Sequence, residues 1–176
     1  LEEYHQLIQE CRANNRISQE KLYRQFYPGL ILLCKRLFAD DRDAVETLND
    51  GMLKVFTQLD KFQPNKGSFF NWVYTIVRNT ALDKLRLRKF PESEEMNYSL
   101  NESSGENPIS SLEAKDIYFL LDTLSPATRA VCSLFYLEGF SIKEIVEKIG
   151  ISAGTVKWHL SETRKRLKPM LEKFYL

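Results

Sequence analysis

The chain has 176 residues, 43% of them hydrophobic and 28% charged, with 25 Lys and Arg against 24 Asp and Glu. That length suits one ordinary domain or two small ones, and 11 Phe, 8 Tyr and 2 Trp supply the apolar bulk for a core, which excludes wholesale disorder. No stretch approaches the ~20 apolar residues of a membrane span, and no secretory leader is present. A cytoplasmic protein with no direct membrane insertion is therefore expected, although the chain opens on Leu1 rather than Met and leaves room for a lost N-terminal segment.

Outside one acidic stretch the chain reads as helix, because apolar residues return at intervals of three and four and β-branched alternation is scarce. Tyr4, Leu7, Ile8 and Cys11 predict a short first helix. Leu22, Phe26, Leu30, Leu33 and Leu37 predict a second, kinked near Pro28-Gly29 because proline lacks the backbone donor a helix interior needs. Asp40 and Asp41 are available to cap a third, whose stripe is Val45, Leu48, Met52, Val55, Phe56 and Leu59. Gly51 inside that helix costs about 1 kcal/mol relative to Ala. Gln63-Pro64-Asn65-Lys66-Gly67 then makes a turn, and Ser68 caps a fourth helix reaching about Lys89, with Phe69, Val73, Ile76 and Thr80 as its buried line.

A second face of the fourth helix carries Thr75, Asn79, Leu82, Arg86 and Lys89, with Arg78 beside them and Phe70 and Trp72 at the border. Cations interleaved with rings suit single-stranded DNA, since phosphates need positive charge and unstacked bases need ring faces. Solvated charge over an aromatic core gives the same pattern.

Residues 91–110 break the composition. They are rich in Glu, Ser, Asn and Pro and hold few large apolar residues, so they predict a flexible acidic linker between residues 1–90 and residues 111–176. Charge follows the same division: residues 1–90 carry +4, residues 91–112 carry −5 and residues 113–176 carry +2. The near-neutral total thus conceals two basic blocks.

The second block starts with Asn107-Pro108, a cap followed by proline at the first helical position, and Ser125-Pro126 repeats the signal. Gly139 closes that helix. Ser141-Ile142-Lys143-Glu144 forms a capping box, and the helix it opens ends at Gly150. Ser152 caps another helix two residues later, so Gly150-Ile151-Ser152 is the turn of a helix-turn-helix. Ile145, Val146 and Ile149 pack the first helix of the pair; Val156, Leu160, Thr163 and Leu167 line the inner face of the second. Lys157, Trp158, Ser161, Arg164, Lys165 and Lys168 lie opposite, a face suited to the major groove. Trp158 fits either DNA contact or burial against the neighbouring helix.

Three segments together resemble a bacterial extracytoplasmic-function (ECF) sigma factor of the sigma-70 family: Asp43-Ala44-Val45-Glu46 through Phe56, Phe69-Phe70-Asn71-Trp72 through Asp83, and Leu124-Ser125-Pro126-Ala127-Thr128-Arg129 into Gly154-Thr155-Val156-Lys157. The resemblance covers almost the whole chain and implies an all-α fold of two small helical domains, a sigma-2 bundle and a sigma-4 helix-turn-helix, joined by the acidic linker. It implies docking on RNA polymerase core through Leu48, Asn49, Asp50 and Leu53. It assigns the downstream promoter element to Lys61, Asn65, Lys66, Phe70, Trp72, Arg78, Asn79, Arg86 and Lys89, the loop Lys61–Ser68 with Asn79 resembling a pocket for a flipped base. The upstream element falls to Thr155, Lys157, Trp158, Ser161, Arg164, Lys165 and Lys168. Family members are often held by an anti-sigma factor, frequently membrane-bound, and no fused sensor domain is expected after the sigma-4 region.

The other classes fare worse. An ordinary helix-turn-helix regulator accounts for residues 113–176 and leaves Phe69–Asp83 unused. An enzyme is not expected, because no Gly-rich phosphate loop and no nucleophile–base pairing is in register. Cys11, Cys34 and Cys132 lack metal or disulfide spacing and read as buried small hydrophobes in a reducing compartment. With His5 and His159 far apart in sequence, no metal or other cofactor is expected.

Overall fold

In a computed structural model, residues 2–88 and 114–174 are described. Every regular element among them is helical: α1 (Glu2–Arg12), α2 (Arg16–Leu37), α3 (Asp41–Thr57), α4 (Phe69–Leu87), α5 (Ala114–Asp122), α6 (Pro126–Cys132), α7 (Ile142–Ile149) and α8 (Ala153–Phe174). Short 3-10 turns at Leu59–Lys61 and Pro64–Lys66 join α3 to α4, and a π-helical turn at Ser133–Leu137 extends α6. The all-α expectation holds for the described residues. The predicted linker, Lys89 and the Asn107-Pro108 cap lie outside them. Internal contacts divide the chain into Leu1–Lys35 with Asp40–Lys84, and Arg36–Ala39 with Leu85–Leu176.

In the first unit, α1 stops because Asn14 takes a left-handed conformation at φ 57°, which asparagine tolerates better than most residues. Asn15 then caps α2, its Oδ1 accepting from the amides of Ile17 (3.0 Å) and Ser18 (3.2 Å). Helix α2 therefore starts six residues before the Leu22 stripe. The periodicity misses this turn because Ile17 is 79% exposed while Ser18 is buried. The helix runs on through Pro28. At α3 the Asp40 carboxylate accepts from the amides of Arg42 (2.8 Å) and Asp43 (3.0 Å), as the caps predict.

Helices α3 and α4 meet at Gly51. A Cβ there would lie 2.9 Å from Val77 Cγ2 and 3.0 Å from Val77 Cα, closer than real Cβ contacts. Glycine is thus required by the approach of the α4 backbone, and its cost to helix propensity is offset by that contact. Ser68 caps α4, its hydroxyl accepting from the Asn71 amide at 3.2 Å. Phe69, Val73, Val77, Thr80 and Ala81 are buried, whereas Ile76 is only half-buried. Leu82, placed by its spacing on the basic face, is 4% exposed and belongs to the core. The buried arc of α4 is wider than one stripe.

The second unit is held by its caps. Ser125 caps α6, with its hydroxyl accepting from the Thr128 amide. The Ser141–Glu144 capping box forms in full at α7, Gly150 ends that helix at φ 72°, and the Ser152 hydroxyl accepts from the Thr155 amide at 3.0 Å. Leu120, Leu121, Leu124, Cys132, Leu167 and Leu171 form one buried cluster, and Ile145, Ile149, Val156 and Leu160 are buried between the paired helices. All three cysteines are free and buried, as their surroundings predict.

Gly51→Ala tests the α3–α4 contact. The methyl group meets backbone as well as side chain, so a loss of about 1–3 kcal/mol is expected in chemical denaturation. An unchanged or raised midpoint would show that α4 yields and that the glycine is not needed.

Candidate nucleic-acid interface

The connection from α3 to α4 is held on the helix by rings. Phe62 packs against Phe69 (centroids 4.9 Å apart) and Trp72 (5.6 Å), and Phe69 stacks on Trp72 at 5.9 Å with 17° between planes. Phe62 and Phe69 are buried and Trp72 is half-buried. Around this cluster the loop and the first two turns of α4 enclose a cavity of about 300 Å³. Lys61, Lys66, Asn71, Trp72 and Thr75 line it, and no carboxylate does.

The predicted loop residues divide accordingly. Lys61, Lys66 and Trp72 border the cavity, and Asn65 is exposed in the second 3-10 turn without reaching it. Asn79, expected with the loop in a base pocket, does not line this cavity; Asn71 and Thr75 on the same helix do. Phe62 and Asn71 are the lining residues the helical wheel missed; Thr75 lies on the face it gave. Phe70 is 39% exposed, Arg78 is half-buried and Arg86 is exposed in the last turn of α4.

On α3 the expected docking face is split. Asn49 and Asp50 are exposed and Leu53 is 64% exposed, an apolar side chain left in solvent. Leu48 is fully buried, so it cannot contact a partner; the 100° step from Leu48 to Asn49 carries the chain from core to surface. Tyr23 of α2 donates its hydroxyl to Asn49 Oδ1 at 2.8 Å and fixes that amide.

In the helix-turn-helix, Arg164, Lys165 and Lys168 are exposed, and Lys157, Trp158 and Ser161 are half-buried along the same helix. Arg164 Nε donates to the Tyr136 hydroxyl at 3.1 Å, which steadies the guanidinium. Lys165 pairs with Glu162 at 3.9 Å and Lys168 with Glu172 at 4.0 Å. Exposed pairs of that kind are worth about 0–1 kcal/mol, so phosphate can displace the carboxylates. Thr155, expected to touch DNA, is buried, and its Oγ1 lies 2.9 Å from the Ser152 hydroxyl. It belongs to the cap rather than to the reading face.

Beneath that face sits a buried polar chain that spacing does not reveal. The Ser125 hydroxyl donates to Thr128 Oγ1 at 2.9 Å, and Thr128 Oγ1 lies 3.0 Å from His159 Nδ1. The Trp158 ring meets the His159 ring edge-on at 4.8 Å. His159 is 3% exposed, and burial pulls its imidazole down to about 4. Arg129, also buried, pairs with Asp122 and ties α6 to the end of α5.

The described residues thus combine a ring-walled cavity without carboxylates in one unit with a helix-turn-helix that exposes Arg164, Lys165 and Lys168 in the other. Residues 22–90 match Sigma-70 region 2 and residues 114–167 match Sigma-70 region 4, together more than half of the chain. The chain belongs to the sigma-70 family, in its extracytoplasmic-function group. It is similar to the ECF RNA polymerase sigma factor SigE of Mycolicibacterium smegmatis, 29% identical over 162 residues that take in 89% of this chain and 62% of that protein. The chain thus spans under two thirds of that relative's length. SigW of Bacillus subtilis is 26% identical over 168 residues, covering 88% of this chain and 85% of that protein. Among solved structures, CnrH in complex with the cytosolic domain of CnrY is similar at a TM-score of 0.47 and 20% identity, over 95% of this chain and 96% of that one.

His159 makes stability of the second unit depend on pH. Its folded pKa lies below the unfolded value of about 6.5, so the unfolded chain binds the extra proton first. The contribution is complete above pH ~6.5 and is lost as pH falls toward ~4, amounting to about 3 kcal/mol. Denaturation at several pH values should show this loss, and His159→Leu should remove it. Parallel pH profiles for the two proteins would contradict the assignment.

Proposed function

We propose that the chain is a transcription initiation factor that binds RNA polymerase core and directs promoter recognition and melting. The observation that carries this is the cavity of about 300 Å³ walled by Lys61, Lys66, Asn71 and Trp72. Flipping a base out of duplex costs a few kcal/mol, and a preformed site with a ring to stack on and cations nearby offsets that cost.

Residues 1–90 act on polymerase and the downstream element, and residues 111–176 read the upstream element, with residues 91–110 as an acidic tether. Asn49, Asp50 and Leu53 dock on core. Arg78 and Arg86 attract the backbone of the opened strand, and Phe70 adds an exposed ring. Lys157, Trp158, Ser161 and Arg164 contact base edges, while Lys165 and Lys168, further along α8, hold phosphates. The protein works by binding in the cytoplasm and catalyses no reaction itself. The family likeness adds an anti-sigma factor to its partners.

No helix among the described residues is long and apolar enough to cross a membrane.

Transcription reconstituted from core polymerase and this chain on a library of promoter fragments tests the reading. Specific transcripts are expected, and Leu53→Lys should reduce core binding and transcript yield at least tenfold while moving stability by no more than about 0.5 kcal/mol, as exposed positions do. Sequence-specific DNA binding without core binding would assign the chain to ordinary helix-turn-helix regulators instead.

A further inference from the structure

The indole of Trp158 is half-buried in the second turn of α8. Its Nε1–H is not buried and has no hydrogen-bond partner among the described residues. An indole nitrogen can only donate. In the major groove guanine offers O6 and N7, adenine N7 and thymine O4 as acceptors, whereas cytosine offers only its N4 donor. A free indole N–H can therefore separate acceptor edges from cytosine, provided that its direction is fixed.

The brace for that direction lies beneath the ring. His159 meets Trp158 edge-on, with centroids 4.8 Å apart and 76° between planes. His159 is itself held at two points: its carbonyl accepts from Thr163 Oγ1 at 2.9 Å, and its Nδ1 lies 3.0 Å from Thr128 Oγ1. Either tautomer of the imidazole forms the second bond, since one proton between the two atoms is enough. The Ser125 hydroxyl donates to Thr128 Oγ1 at 2.9 Å, which ties the chain to the cap of α6. On the far side of the ring, Nε2 is buried without a partner among the described residues. The Thr128 bond alone thus decides which way the imidazole faces, because a ring turned over would bring Cδ2 against Thr128 and lose it. An apolar side chain would fill this space without leaving a buried nitrogen unpaired, so packing does not account for the histidine.

We propose that Trp158 donates its indole N–H to an acceptor edge of one base in the upstream element, and that Thr128 and His159 are positioning residues that set the direction of that N–H. The inference rests on the function proposed above, which supplies the upstream DNA. It restricts one position of the element to guanine, adenine or thymine. It also makes base choice depend on Thr128, a buried residue that cannot touch DNA.

The test uses core polymerase loaded with the full chain and promoters with a randomised upstream element, selected by transcription. With the native chain, cytosine should be selected against about fivefold at one position, the worth of one hydrogen bond. Trp158→Phe, a ring without the donor, should level that position and leave the others as they were. Thr128→Val, the same shape without the hydroxyl, should level it too, and Thr128→Ser should restore it. His159→Phe keeps a ring against Trp158 and removes the bond, a second route to the same loss should Thr128→Val not fold. A loss of stability alone would weaken all sequences together and level no single position. Native base frequencies with Thr128→Val or His159→Phe, while Trp158→Phe changes them, would remove the positioning role. Native frequencies with Trp158→Phe would remove the indole donor and the inference with it. Failure of the native chain to bind core or give transcripts would instead overturn the proposed function itself.

Discussion

The packing of Phe62 against Phe69 and Trp72 is the contact on which the first unit's surface depends. The connection of two 3-10 turns is fixed by a few bonds, such as Arg12 Nη2 donating to the Leu59 carbonyl, and by two buried side chains, Leu59 and Phe62. Phe62 reaches into the start of α4 and holds Lys61, Lys66 and Ser68 at set positions around it. Phe62 lines the cavity at this connection together with Trp72. Under the proposed function, a wall already packed in this way lowers the ordering cost of binding a strand that must itself be unstacked.

The second unit solves a different problem. A helix-turn-helix needs its second helix fixed at a definite angle, and here the caps supply much of that. Ser141 with Glu144, Gly150, and Ser152 with Thr155 fix the turn from both ends. The Ser125–Thr128–His159 chain then joins the start of α6 to the middle of α8 from below. Trp158 rests edge-on against that histidine, so a residue on the reading face is braced by a neutral, buried ring.

Much of this was legible in the sequence, because caps and helical periods are local. Asp40, Ser68, Ser125, Ser141, Gly150 and Ser152 act as their spacing predicts. What failed has common physical causes. Asn71, Thr75 and Asn79 follow one another at four along α4, and a wheel gives the face but not the height along the axis, so it does not show that Asn71 and Thr75 line the cavity while Asn79 does not. Spacing puts Leu82 on the basic face although it is buried, and the family resemblance gives Leu48 to the docking face although the helical stripe rightly places it in the core. Gly51 looked like a weak point in α3 until the distance to Val77 was known. Contacts between distant residues, such as Thr128 with His159, leave no periodic trace at all.

The central claim is that a preformed ring-walled pocket drives strand opening, separately from docking on polymerase. Permanganate reactivity of unpaired thymines, on promoter DNA with core polymerase and either the native chain or Phe62→Ala, measures this directly. The account predicts that the variant still binds core while reactivity falls at least tenfold, because removing a base-stacking wall costs about 1–3 kcal/mol per base. Full reactivity in the variant, with core binding retained, would contradict it.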